Sequence, residues 1–386
     1  MNFEFYLPTE VIFGPGSLKR LGDVSRRFGS RALLITGKAS SKKNGALMRA
    51  IEYMKKSSIE EILVFDEVEP NPSTEIVRKA SEIAIRERVD FIVGLGGGSS
   101  LDCAKAVSIV SSNEGSAWDY VNYPEGPRLV PYVARPTILI PTTAGTGSEV
   151  NSYSVISNSI RKEKLTISNS LLYPKVAIID PELTISMDQN LTATTGVDAF
   201  THALEALTNR VEDFFASELA IKSLKYIKSW LEVAIQEPQN IKARTYMSYA
   251  SMLAGMAIDR KKVALIHGLE HPVSAHYPFI AHADGLAALG PSVTRFNHSS
   301  NQEGYALFAR LMGEEEKAHR AIDAHEKFLE KINKRITLKD LGVERQSLQR
   351  LSQDAAYLAQ RLIFINPRLA TEEDILSLYE NSYEGV

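Results

Sequence analysis

"DFIVGLGGGSSLDCAKAV", residues 90–107, is the stretch whose reading decides the fold. A short apolar segment passes through a glycine turn into helical spacing, which is the sequence form of strand, turn and helix. Gly94, Gly96, Gly97 and Gly98 let the backbone take positive φ and come close to a bound group. Ser99 follows, and Leu101, Ala104, Lys105 and Val107 begin the helical pattern. The N–H groups at such a helix start carry partial positive charge and hold phosphate oxygens. The run is not G-x-G-x-x-G, because Ser99 stands at the last glycine position. A purely structural turn also fits; the setting between a buried strand and a helix favours phosphate.

The same grammar extends to both sides. "RALLIT" (31–36), "EILVFD" (61–66), "TILIPT" (137–142) and "KVAIIDPEL" (175–183) are brief β-rich runs bounded by Gly, Pro or Asp. Between them 43–57, 72–88 and 100–111 read as helices; in the second, Ile76, Ala80, Ile83 and Ala84 make an apolar stripe. Strand alternating with helix predicts βαβ units and a mostly parallel sheet. After about residue 186 the strand signals fade, and 192–210, 215–236, 242–260, 315–335 and 343–364 keep helical spacing. The expectation is an α/β, Rossmann-like dinucleotide-binding domain over 1–185, then an all-α domain over 186–386.

Composition excludes several function classes. A net charge of −3 gives no sign of a nucleic-acid surface. No run approaches the roughly 20 apolar residues of a membrane span, and the first residues read as neither a secretory signal nor a transit peptide. Cys103 is the one cysteine, so an internal disulfide and a thiolate metal cage are excluded. Any metal must be held by nitrogen and oxygen. A cytoplasmic enzyme is expected.

A second small-residue loop, "PTTAGTGSEVNSY" (141–153), again follows a strand. Thr142, Thr143, Thr146, Gly147 and Ser148 offer hydroxyls and bare backbone; Thr146 or Ser148 would equally cap a helix. Two such loops on neighbouring strand ends suggest a crevice for a phosphorylated cofactor. In the second half "GVDAFTHALEAL" (196–207) puts Asp198 and His202 one turn apart on a buried helix. Alone, that pair suits a hydrogen-bonded core as well as a metal. "HGLEHPVSAHYPFIAH" (267–282) then holds four of the eight histidines, His267, His271, His276 and His282. One carboxylate and three imidazoles suit Fe²⁺ or Zn²⁺ and would serve Mg²⁺ poorly.

These motifs, with "PNPS" (70–73) and "KLTISNSLLYPKVAIIDPEL" (164–183), resemble the iron-containing (group III) alcohol dehydrogenase family. The resemblance runs in order from "FGPGSLKRLG" to "NPRLATEEDI", essentially the whole chain. It implies a metal, Fe²⁺ or else Zn²⁺, held by Asp198, His202, His267 and His282. It implies NAD(P) along the two loops, with catalysis in the cleft between domains. The implied cofactor residues are Asn71, Gly96, Gly97, Gly98, Ser99 and Asp102, then Thr142, Thr143, Thr146, Ser148, Asn151 and Lys164. His271 would lie beside the nicotinamide as a proton relay. His276 matches no ligand position, and Asp284 in "HADG" is a rival oxygen ligand to His282. The expected reaction is hydride transfer between a primary alcohol or aldehyde and NAD(P), in a homo-oligomer.

Gly37 stands after the first clear strand, where many NAD-using relatives carry Asp. With Ser40, Ser41, Lys42 and Lys43 close behind, it favours NADP(H) over NAD(H). The architecture also resembles zinc-dependent glycerol dehydrogenases, which match the Asp/His set less well. Dehydroquinate synthase is a further resemblance, but a phosphorylated substrate needs basic residues that these small, apolar motifs lack. A filament or metal-storage protein would explain the histidines and not the two loops.

Overall fold

The computed structural model of the protein describes residues 5–385. Two compact units divide the chain. One is Tyr6–Met187 with Gln239–Ser248; the other takes in Asp188–Pro238 and the chain from Tyr249 onward.

The first unit carries eight strands: β1 (Glu10–Phe13), β2 (Arg31–Gly37), β3 (Glu61–Val68), β4 (Phe91–Gly96), β5 (Thr137–Pro141), β6 (Tyr153–Asn158), β7 (Glu163–Ser168) and β8 (Val176–Ile179). Six form one sheet in the order β1-β8-β5-β4-β2-β3, every pair parallel. The central strands β4, β5 and β8 are buried at every residue, so they read as unbroken apolar runs rather than alternations. The helices here are α1 (Leu21–Ser25), α2 (Ser40–Lys43), α3 (Ala46–Lys56), α4 (Thr74–Arg86) and α5 (Gly98–Val110). Ser73 caps α4 by accepting from the Ile76 N–H. From β2 the chain moves outward to β3, whereas from β4 it moves the other way to β5. The sheet therefore reverses direction between β2 and β4, and ligands of such sheets bind outside the carboxyl ends there. Gly37 and the turn Gly96–Ser99 stand at those ends.

Three strands escaped the sequence pattern. Strand β1 is four residues long and half exposed, too little to show a period. Strands β6 and β7 pair as an antiparallel hairpin outside the main sheet.

The second unit is helical: α6 (Gln189–Thr208), α7 (Phe214–Gln236), α8 (Ile241–Lys261, whose first turns count with the first unit), α9 (Leu265–His276) and α10 (His282–Asn297). Then come α11 (Gln302–Met312), α12 (Arg320–Lys331), α13 (Leu348–Leu358), α14 (Gln360–Ile365) and α15 (Glu372–Glu384). The periodic stretch 343–364 is not one helix, because the chain turns at Ala359 between α13 and α14. Helix α6 is buried almost all round, and Asp188 caps its start by accepting from the Leu191 N–H at 2.7 Å. Gly196 permits the close approach of α7, since a Cβ there would lie 2.4 Å from Leu231 Cδ1. Phe200 of α6 stacks on Phe328, with His325 against its edge.

Candidate active site

Helix α6 presents Asp198 and His202 one turn apart, α9 presents His267, and α10 begins at His282. One ligand atom from each of Asp198, His267 and His282 lies within 4.8 Å of the other two. His202 is outside that group of three but adjoins it. Its Nε2 is 3.5 Å from Asp198 Oδ1, and its ring lies nearly parallel to that of His267, centroids 4.8 Å apart. Asp198 Oδ1 and His267 Nε2 are buried without a hydrogen-bond partner, and so is His202 Nδ1. Asp198 Oδ1 and His267 Nε2 are 3.9 Å apart, too far for a hydrogen bond. A buried polar atom left unsatisfied costs about 1–3 kcal/mol. Two such atoms, Asp198 Oδ1 and His267 Nε2, beside His282 suit a divalent cation with mixed nitrogen and oxygen donors.

The electrostatics follow from this crowding. Burial opposes the Asp198 carboxylate, yet His202, His267 and His282 around it hold the group well below the usual range. Burial also opposes a charge on His267, but Glu205 and Asp198 outweigh it and raise the ring to about 9. His202 is driven down to about 4, by burial first and then by the positive neighbours His267 and His282, against the pull of Asp198.

Sequence reasoning missed two residues here. Glu205 lies in α6, and its carboxylate accepts from His267 Nδ1 (2.6 Å), Ala264 N (2.9 Å) and Ile266 N (2.6 Å). Glu270 lies in α9 and accepts from His282 Nδ1 and Ser274 Oγ. A signal was present: "HALE" (202–205) and "HGLE" (267–270) both place Glu one turn after a histidine, on an apolar helix.

The other acid and histidines separate clearly. His276 Nε2 bonds Asp354 at 2.8 Å and so ties α9 to α13. Asp284 Oδ1 pairs with Lys334 at 2.8 Å and also receives Thr194 Oγ1, and Asp284 is not in the ligand group. His271 stands one turn beyond His267, its ring centroid 6.0 Å from that of His282.

The two loops of the first unit stand side by side. Gly96 has φ 152°, and Gly97 leads into α5 in extended backbone. The Thr142 N–H donates to Gly96 O at 2.9 Å. A Cβ at Gly97 would lie 3.4 Å from Thr143 Cγ2, and one at Gly98 would lie 2.4 Å from Thr146 Cγ2. Ser99 Oγ accepts from the N–H of Asn71, itself at φ 54°. Gly147, in the left-handed region, is followed by a 3-10 turn rather than the α-helix that Thr146 or Ser148 would have capped.

Asp102, Ser148 and Asn151, all expected to meet the cofactor, are engaged within the protein. Asp102 accepts from Ser148 Oγ (2.6 Å) and the Val155 N–H (3.0 Å), and Asn151 bridges Gly147 O, Tyr153 N and Lys105 Nζ. The fully buried Lys105 also donates to Asn151 O and to Tyr153 O at 2.6 Å. Asp102, Ser148 and Asn151 thus hold the loop in shape. Lys164 is buried on β7. Burial pushes the loop carboxyl of Glu149, which the sequence reading passed over, up to about 7.

Near Gly37, Ser40 opens α2 on the surface and Ser41 is buried against Thr36 Oγ1. A Cβ at Gly37 would meet nothing nearer than 3.6 Å. Lys42 is paired with Asp66, and Lys38 with Glu69 at 2.5 Å.

Residues 8–181 match the model of the iron-containing alcohol dehydrogenase family, and 192–383 match its C-terminal part. The chain belongs to the iron-containing alcohol dehydrogenase family. It is 33% identical to 1,3-propanediol dehydrogenase of Klebsiella pneumoniae over 99% of both chains. It is 32% identical to the NAD-dependent methanol dehydrogenase of Bacillus methanolicus, over 98% of this chain and 99% of that one. Among solved structures it resembles an archaeal halo-thermophilic alcohol dehydrogenase from a Red Sea brine pool, with TM-score 0.95 and 32% identity over 99% of each chain. The protein is an alcohol dehydrogenase with an α/β N-terminal part and a helical C-terminal part. Among the described residues no helix is long and apolar enough to cross a membrane.

Proposed function

We propose that the protein interconverts small primary alcohols and their aldehydes. Asp198, His202, His267 and His282 hold a divalent metal, Fe²⁺ ahead of Zn²⁺, and NADP(H) is used in preference to NAD(H). The observation that carries the metal reading is the convergence of the unpartnered, buried Asp198 Oδ1 and His267 Nε2 beside His282. A metal held there would supply Lewis-acid polarisation of the substrate oxygen. The nicotinamide would supply the hydride donor or acceptor.

The remaining work falls to the chain's own residues. The N–H groups of Gly96–Ser99 at the start of α5, with Thr143 and Thr146 beside them, hold the pyrophosphate. Asp102, Ser148 and Asn151 keep that loop in register. His271 carries the proton between the substrate hydroxyl and solvent. Small primary substrates are supported by the apolar and aromatic residues of 251–280 and by the propanediol and methanol named for two relatives.

For the cofactor, Gly37 leaves room for a 2′-phosphate, and Ser40 and Lys42 stand close behind it in the chain. Lys42 must exchange its exposed partner Asp66 for the phosphate, and such a pair is worth about 0–1 kcal/mol.

The test uses protein purified without oxygen. Bound metal is determined, and nicotinamide absorbance is followed with butanal and NADPH, and with NADH in parallel. About one iron or zinc per chain and metal-dependent NADPH oxidation are expected. A kcat/KM for NADH about tenfold higher would reverse the cofactor preference. A metal-loaded protein that oxidises neither would refute the chemistry.

A further inference from the structure

Two of the four ligand residues are each held from behind by a different buried glutamate. Glu205 is 3% exposed and Glu270 is fully buried. Glu205 follows His202 by one turn on α6 but reaches His267 on α9, while Glu270 follows His267 by one turn on α9 but reaches His282 on α10. Helices α6 and α9 thus each contribute a ligand and the carboxylate that orients the ligand on the next helix of the series. An ionised carboxylate only accepts, so in both contacts the Nδ1–H of the histidine is the donor. In the neutral ring that leaves Nε2 without a proton, as a ligand nitrogen must be.

The two glutamates are themselves fixed. Glu205 also receives two N–H groups at the start of α9. Glu270 receives Ser274 Oγ, and Gly285 of α10 packs so closely that a Cβ there would lie 2.9 Å from Glu270 Cγ. His276 and Asp354 form a histidine–carboxylate pair of the same kind on α9, but His276 is not in the ligand group. It is a built-in control.

We propose that Glu205 and Glu270 are positioning residues of the metal centre. They hold His267 and His282 with the proton on Nδ1 and Nε2 turned to the ion, and so set the metal affinity. This rests on the reading of Asp198, His267 and His282 as ligands. Glu205 also closes the N-terminus of α9, so its loss lowers fold stability as well.

The experiment uses the full chain stripped of metal, with Co²⁺ alone as probe. Affinity is measured by competition with a chelator of known strength, and the visible absorption of bound Co²⁺ reports ligand geometry. E270Q and E205Q are each expected to weaken Co²⁺ binding about 10–100-fold and to alter the visible band. D354N stays within about twofold of the parent, because the histidine contact it weakens serves no ligand. If both Gln variants, folded by circular dichroism, keep the parent affinity and band, the proposal is overturned. Should E205Q fail to fold, E270Q alone decides. Failure of the underlying site reading shows separately: H267A would bind Co²⁺ as tightly as the parent, and the positioning role would fall with it.

Discussion

Gly98→Ala probes the contact between the two loops of the first unit. The added Cβ would lie 2.4 Å from Thr146 Cγ2 and 3.1 Å from its Cβ and Oγ1. Carbon atoms prefer about 3.5–4.0 Å, so the overlap exceeds about 1 Å. Thr146 cannot simply turn aside, because its Oγ1 accepts from the Ser148 N–H at 3.2 Å and Ser148 in turn is bonded to Asp102. Giving up that hydrogen bond costs about 0.5–1.5 kcal/mol, and overpacking typically costs about 1–3 kcal/mol. Against this stands a helix-propensity gain of up to about 1 kcal/mol, smaller at the first helical residue. The balance, about 1–4 kcal/mol, distorts the turn that offers its N–H groups to the pyrophosphate. At 1.4 kcal/mol per factor of ten, nicotinamide dinucleotide binding should weaken about 5–700-fold.

Fluorescence titration with NADPH and NADH measures this, with metal content assayed alongside. Metal should be unchanged, because all four proposed ligands lie in the second unit. Thr146→Ser removes the offending methyl and keeps the Oγ1 acceptor, so the double variant should recover most of the affinity. A dissociation constant for G98A within about twofold of the parent, or no recovery in the double variant, would refute the role assigned to these loops.

Among the histidines, His267→Ala should empty the metal site while cofactor binding persists. His276→Ala should leave metal content unchanged and cost about 1–2 kcal/mol of stability, the value of its bond to Asp354; chelator competition and denaturation separate the two. Asp66→Asn frees Lys42 and should raise the NADPH-to-NADH ratio of kcat/KM up to about fivefold, the worth of an exposed pair; an unchanged ratio would remove Lys42 from cofactor selection. Burial, with Arg335 adding to it, drives His325 down to about 3. Its folded form stays neutral where the unfolded chain takes up a proton, so stability should fall as pH drops from about 6.5 towards 3. The slope approaches about 1.4 kcal/mol per pH unit. His325→Gln should flatten that slope in denaturation series between pH 7 and about 4, and equal slopes would show that His325 does not set it.

The parallel sheet was legible because burial on both faces writes itself as unbroken apolar runs, a local property of β2, β4, β5 and β8. The helical half was legible in kind but not in detail: 343–364 keeps its period while the backbone breaks at Ala359. The hairpin β6–β7 carries alternating burial only along β6, and two short strands flanked by loops were passed over.

For the site, spacing along one helix marked Asp198 with His202 and His267 with His271, since residues one turn apart share a face whatever the rest of the chain does. "HALE" and "HGLE" likewise mark two glutamates for notice. What the chain order could not say is which histidine each glutamate serves. Glu205 passes over His202 to reach His267, and Glu270 passes over His267 to reach His282. Nor could it show that Asp284 is drawn off by Lys334 and His276 by Asp354. A helix face is set by bonds within a turn, but hydrogen-bond partners on different helices are set by how the helices pack, and only the tertiary structure decides that.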